Sequence, residues 1–345
     1  MLSRWGVAGV GFLAMAAAAP GASAADARSV AWLNRNLAVE ESRSGPVSPH
    51  LLPLLDRLAG AQSDGGALGE AAASRRRALK ITLRAYGGTS INAALAMVAL
   101  ARVELLRQRY PEAEPMLIAA MPVIEARFGA DSPSLAELFS GLARIALARG
   151  DIPAAESWAD RADAIAKRHP AATSNEPLRA LGAVYAAEER FADGERVLRT
   201  AVARDRQRDG AESTETARSL AQLARLLLRA KRFDEALPVI EQAIAIDQEK
   251  LAETHPLIAD DFVDLGSIYA GLGRDDDAGD ALYFAIDLLE RGSSEESPRL
   301  AYAELEIAPV LRRLGRTDDA DTAFKDAKRI LDTAADDERQ HERQI

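Results

Sequence analysis

An all-α solenoid of about seven stacked helical hairpins is the fold that this sequence predicts, and three observations predict it. Small residues recur at a fixed interval: Ala71, Ala113, Ala155, Gly194, Ala236, Ala278 and Ala320 stand 42, 42, 39, 42, 42 and 42 residues apart. A period of roughly 20 to 50 residues is the mark of a stacked repeat. The composition is 48% apolar and 28% charged but only 5% aromatic, and alanine fills 71 of the 345 positions, so small side chains must do much of the packing. Beyond the N-terminus, proline and glycine come singly at spaced intervals, as expected for helices joined by short turns.

The elements follow in order. Met1 to Trp5 carries Arg4, Gly6 to Ala19 is uncharged and apolar, and Pro20-Gly21 breaks that run ahead of Ala22-Ser23-Ala24. This is the three-part layout of a secretory signal peptide, with cleavage expected after Ala24. The apolar run falls short of the about 20 residues that a membrane-spanning helix needs. A lone arginine is not a twin-arginine signal. The mature protein is therefore expected to be exported, periplasmic or secreted, and not integral to the membrane. Residues 25–47 fit no repeat, but Ala27 to Glu40 is expected to form a helix capping the array.

The array itself is expected over residues 48–332. Seven residues beyond each marker stands a further alanine: Ala78, Ala120, Ala162, Ala201, Ala243, Ala285 and Ala327. Twelve residues before each lies Ala59, Ala101, Ala143, Gly182, Ala224, Gly266 or Ala308. Pro49, Pro133, Pro256 and Pro298 each fall 22 residues before a marker, behind Ser48, Ser132, His255 and Ser297. A capping residue followed by proline starts a helix. Each repeat thus reads as helix, turn, helix, with small residues where two backbones must approach closely. Gly66, Gly150, Gly273 and Gly315 fall in the turn, where a left-handed residue closes the first helix. Asp277 and Asp319 lie just inside the second, near the positive end of its dipole. Three residues are missing ahead of Leu181, which predicts a local bend. Residues 333–345, short and highly charged, are expected to fray.

Stretches such as Leu223-Ala224, Arg232-Phe233-Asp234-Glu235-Ala236 and Ala243-Ile244, or Leu265-Gly266-Ser267-Ile268-Tyr269 with Ala278 and Ala285, resemble tetratricopeptide repeats. The long period and starts such as Thr254-His255-Pro256 are similar to the kinesin light chain subclass. The resemblance implies a right-handed superhelix whose first helices line a concave groove for an extended peptide or a partner helix. The first repeat departs from the pattern, with Gln62 where Tyr185 and Tyr269 stand and Arg75 where Leu198 and Leu282 stand, and reads as a degenerate cap.

Composition and motifs exclude several classes of function. The formal net charge is −10, with 25 acidic against 12 basic side chains in residues 247–345, so nucleic acid is not an expected partner. The absence of cysteine excludes disulfides, thiolate metal sites and a cysteine nucleophile. His50, His169, His255 and His341 show no metal-binding spacing and read as solvated turn residues. The run Asp275 to Asp280 places its glycine one position early for a calcium loop and reads as helix capping. There is no phosphate loop and no nucleophile elbow. Arg75-Arg76-Arg77 reads as a solvated outer face. No cofactor and no metal are expected.

One constellation stands out. At the groove-facing place just after the small residue stand Arg102, Arg144 and Arg225, with Ala183 interrupting the row, while Arg218, Arg229 and Arg179 occupy further groove-facing places. Arginines stacked this way either converge on a ligand carboxylate or pair with carboxylates of neighbouring helices. The expected function is a non-catalytic scaffold or adaptor of the cell envelope that binds a protein or peptide partner of acidic character in the groove; self-association is compatible with it. Two other readings are a structural part of an envelope secretion or polymer-export assembly, and an envelope hydrolase with a site of scattered carboxylates. A pocket with converging polar groups of perturbed pKa would favour the hydrolase.

Overall fold

The structure, a computed structural model, describes the backbone of residues 22–292 and 297–342, and within them the side chains of residues 28–292 and 297–333. Apart from the backbone of Ala22 to Ala24, the expected leader lies outside these residues. The described residues form 15 α-helices and no strand. Helix α1 (Ala22–Ser44) packs Leu33 and Leu37 on Leu51, Leu55 and Leu58, and so covers the first hairpin. A short 3-10 turn, Pro49–Leu51, leads into that hairpin, α2 (Leu52–Asp64) with α3 (Leu68–Tyr86). Six more follow: α4 (Ile91–Leu106) with α5 (Tyr110–Phe128), α6 (Pro133–Ala148) with α7 (Ile152–Arg168), and α8 (Glu176–Ala187) with α9 (Phe191–Arg208). Next come α10 (Thr214–Arg229) with α11 (Phe233–Lys250), α12 (Pro256–Gly271) with α13 (Asp275–Gly292), and α14 (Pro298–Arg313) with α15 (Thr317–Glu342). Successive hairpins bury their apolar faces on one another, as a solenoid requires. No helix among the described residues is long and apolar enough to cross a membrane.

The period in the sequence is a packing period. The marker alanines are buried without exposed area, 0% each at Ala71, Ala113, Ala155, Ala236, Ala278 and Ala320. Glycine brings the backbones closer still: a Cβ on Gly194 would lie 2.2 Å from Leu226 Cδ1, and one on Gly182 would lie 2.5 Å from Leu198 Cγ. Only Ala78, in the divergent first repeat, is partly exposed. Ser48, His255 and Ser297 cap their helices through side-chain acceptors, whereas Ser132 precedes α6 without using its hydroxyl.

Each hairpin turn contains a left-handed residue at one repeat place. Gly66, Gly150, Gly273 and Gly315 fill it as expected, with φ near +75°. Gln108, Glu189 and Lys231 fill it in the other hairpins, at φ of 59°, 60° and 58°, which the sequence did not announce. The missing residues shorten α8 to 12, against 16 in α6 and α10. The charged segment expected to fray is helical in backbone as far as Glu342, because neither proline nor glycine follows Gly315.

The array curls until its sixth hairpin meets its first. His255 Nδ1 accepts from the Leu257 N–H, so its Nε2–H donates to the Ser63 carbonyl, 3.1 Å away. Gly66 packs at the same seam, where a Cβ would stand 3.0 Å from His255 Cα. Beside it, Arg299 Nη1 donates to the Leu106 carbonyl at 2.5 Å.

This closure corrects the reading of His255 as a solvated turn residue: it is buried, because a turn 192 residues earlier covers it. His50 is exposed, a ring nitrogen of His169 lies 2.8 Å from Asp131 Oδ2, and the side chain of His341 is outside the described residues. The arginine run is not simply solvated either. Arg75 pairs with Asp56, Arg76 with the buried Glu104 and Arg77 with Glu41, because α3 lies between α2 and α4 with α1 close by.

Candidate functional site

The first helices of the hairpins face inward, and four of the six arginines singled out above converge there. Arg144 on α6, Arg179 on α8, and Arg218 and Arg225 on α10 line one cavity of about 210 Å³. Arg299 on α14 closes one side of it through the seam. Arg102 and Arg229 lie outside it. Arg102 is 68% exposed, with Glu137 at 3.9 Å, and Arg229 is exposed at the last turn of α10.

Within the cavity the arginines differ in how far neighbouring carboxylates satisfy them. Arg179 is 5% exposed and bound on every side: it donates to Glu176 Oε2 at 2.8 and 3.0 Å, to Glu215 Oε2 at 2.8 Å and to Ser219 Oγ at 3.2 Å. Arg225 forms a fork on Asp264, with contacts of 2.6 and 3.0 Å to Oδ2. The attraction of Asp264 raises the Arg225 pKa, whereas burial lifts the Asp264 carboxyl above its usual range despite that partner. Arg218 donates to Glu215 at 2.9 Å and to Glu176 at 3.4 Å. These three are wired into the array.

Arg144 is not. It stands 3.9 Å from Glu176, beyond a good hydrogen bond, and its Nε is buried without a partner among the described residues. Burial lowers its pKa. Burial alone would raise the Glu176 carboxyl, but Arg179, Arg218 and Arg144 together hold it well below the usual carboxylate range.

Sequence reasoning missed the acidic half of the cavity. Glu176, Asp260, Asp261 and Asp247 share its wall with the arginines. A signal for part of this was present: Glu137, Glu176, Arg218 and Asp260 occupy one repeat place, 39, 42 and 42 residues apart, and so stack on successive first helices. Asp247 on α11 and Asp261 on α12 are 2% and 3% exposed and close enough to influence each other's ionisation. Asp247 Oδ1 and Asp261 Oδ2 have no partner among the described residues. Burial and mutual repulsion push the Asp261 carboxyl well above its ordinary value, and burial pushes Asp247 up to about 7. No group of ligating side chains among the described residues is arranged to hold a metal ion. The cavity can thus accept both an anion, at Arg144, and a cation, at the aspartate pair.

A second cavity, of about 540 Å³, lies along the seam between Gly66 to Glu70 and the Thr254–Pro256 and Ser297–Arg299 turns.

The sequence model of the tetratricopeptide repeat matches residues 92–168 and 173–249. No curated protein matches the chain. Among solved structures, the APC/C hetero-tetramer Cut9-Hcn1 aligns with a TM-score of 0.57 at 15% identity, over 81% of this chain and 46% of that one. A Rap protein complexed with Competence and Sporulation Factor aligns at 0.52 and 12% identity, over 83% and 99%. A putative kinesin light chain of Podosopora anserina aligns at 0.43 and 21% identity, over 58% and 95%. The family model falls on α4 to α11, so residues 92–168 and 173–249 are tetratricopeptide repeats, and the same helical hairpin recurs to both sides of them.

Proposed function

We propose that this protein is an exported, non-catalytic adaptor of the cell envelope that holds another polypeptide at its concave face. The observation that carries this reading is Arg144 on the wall of the inward cavity, 3.9 Å from Glu176 and with its Nε unpartnered among the described residues, where Arg179, Arg218 and Arg225 are already satisfied by the array. An anionic group of the partner, a side chain or a C-terminal carboxylate, is the complement of that surface. The cavity of about 210 Å³ is smaller than the roughly 300–1,000 Å³ of ordinary ligand pockets. It therefore admits the end or one side chain of a partner. The Rap structure holds Competence and Sporulation Factor, and Cut9 stands beside Hcn1 in its assembly. Both are in keeping with a partner-holding role.

The test is recovery of tagged protein from the cell envelope and identification of what it retains. Arg144→Glu should lose the partner, while Arg204→Glu, the same reversal on the exposed face of α9, should keep it. The opposite result would move the binding site to the convex surface. Intact mass of the exported form should begin at Ala25; recovery only of chains starting at Met1 would remove the envelope from the proposal. The hydrolase reading is favoured by the perturbed Asp247–Asp261 pair. Turnover of a peptide or glycan by the purified protein, abolished by Asp261→Ser, would replace the adaptor reading.

A further inference from the structure

The repeat supplies an internal reference for the aspartate pair. Asp205 on α9 and Asp247 on α11 occupy the same place, 42 residues apart, and both are buried. Asp205 is fully satisfied: Asn175 Nδ2 donates to it at 2.5 Å, Ser219 Oγ at 2.6 Å, Arg208 Nη2 at 3.3 Å and Arg179 Nη1 at 3.4 Å. Forty-two residues on, every one of these donors has changed. Ala217 stands for Asn175, Ala221 for Arg179 and Asp261 for Ser219, while Lys250 stands for Arg208 but bonds to Glu249 instead. Asp247 thus keeps the carboxyl, loses its donors and faces a second carboxyl. Ala221 leaves the Arg179 guanidinium without a counterpart in this repeat, and it lines the cavity together with Asp247 and Asp261. Buried carboxyl oxygens without donors are costly unless something from outside completes them.

We propose that Asp247, Asp261 and the space over Ala221 form a binding site for a free basic amino acid, its guanidinium or ammonium between the two carboxyls and its carboxylate toward Arg144. The ligand cation replaces the missing arginine of the repeat. Its carboxylate meets Arg144, which lines the same cavity and whose Nε has no partner among the described residues. The groups facing the pair are Arg218, Glu215, Arg225, Asp260 and Asp264. Arg225 and Asp260 are engaged with Asp264 and Arg299, and Arg218 with Glu215 and Glu176, so none of them neutralises the pair. In the free protein the two carboxyls share a proton, and a bound cation displaces it to solvent. The site does not depend on capture of a polypeptide.

Calorimetric titration of the full-length exported protein tests this with L-arginine and L-lysine, against L-citrulline, which replaces the guanidinium by a neutral urea, and agmatine, which lacks the carboxylate. At least one of the two amino acids should bind about tenfold or more tighter than both analogues, the loss expected for one charge-assisted contact. Titration at pH 6 in two buffers of different ionisation heat should show release of about one proton per ligand. Ala221→Arg, which rebuilds the arrangement around Asp205, should abolish binding. The proposal is overturned if neither amino acid binds more tightly than about 1 mM, if citrulline binds equally well, or if no proton is released. Equal affinity for an acetylated and amidated tripeptide with a central arginine would likewise overturn it, by showing that the ligand carboxylate is not used. The analogue and proton measurements need no variant to fold.

Discussion

The Nε2–H of His255 donates to the carbonyl oxygen of Ser63, 3.1 Å away and 192 residues earlier. With Nδ1 accepting from the Leu257 N–H, both ring nitrogens are engaged in the neutral form only. Burial accordingly lowers the His255 pKa to about 4. The unfolded value is higher, near 6.5, so the contribution is full above that pH and is lost as pH falls through the folded value. His255→Asn keeps a capping acceptor but cannot be charged. Thermal melts should show native stability falling relative to this variant by up to about 3 kcal/mol between pH 7 and 4. A constant difference across that range would show that the seam does not sense protonation.

The Asp247–Asp261 pair acts in the opposite direction. Both carboxyls are raised, so the native state favours the bound proton, and stability falls as pH rises from the ordinary carboxylate range through about 7. Asp261→Ser restores the serine that satisfies Asp205 in the preceding repeat. It should stabilise the protein at pH 8 by about 1 to 3 kcal/mol in chemical denaturation, and the gain should shrink toward pH 4. Destabilisation at pH 8 would contradict the assignment of repulsion to this pair.

Packing at the helix crossings is tested on one helix. Ala243 is buried at 0% exposure, and Ala245, two residues on, is exposed. Ala243→Leu should cost about 1 to 3 kcal/mol through overpacking. Ala245→Leu should stay within about 0.5 kcal/mol of the native protein. Similar melting shifts for both would mean that α11 does not present that face to its neighbours.

Lys231 holds the left-handed turn position that glycine fills in four other hairpins, at φ +58°. Strain at a side-chain-bearing residue there exceeds the entropic cost of glycine, so Lys231→Gly should stabilise by about 0.5 to 1 kcal/mol. Gly273→Ala, at the equivalent place, should destabilise by about 1 kcal/mol. Urea titrations of the two variants should shift their midpoints in opposite directions.

Arginines that look equivalent in the repeat should behave differently when removed. Arg225 neutralises the buried Asp264, and Arg225→Ala should cost about 3 to 5 kcal/mol by leaving that carboxylate alone. Arg102→Ala should cost less than about 0.5 kcal/mol, since Arg102 is exposed and its carboxylate contact among the described residues, Glu137, is 3.9 Å away. Equal losses would show that the row is a uniform ladder.

The sequence alone determined what is periodic. Close helix crossings demand small residues, and such crossings recur with every hairpin, so alanine and glycine at a spacing of 42, with one interval of 39, specify the hairpins and their number. It also placed arginines on the inward helices, because one repeat place maps to one position on successive first helices. What only the tertiary structure decided is aperiodic. Superhelical curvature is the sum of small rotations between hairpins, which no single repeat encodes. That curvature brings His255 to Ser63 and Arg299 to Leu106, burying a histidine that its local sequence leaves in a turn. The same folding-over separates Arg179 and Arg225, whose charges the array neutralises, from Arg144 and the Asp247–Asp261 pair, whose polar atoms it leaves unmatched. Pairing depends on side chains from three or four hairpins meeting at one point, and sequence spacing fixes the place of each along its helix but not their distance from one another.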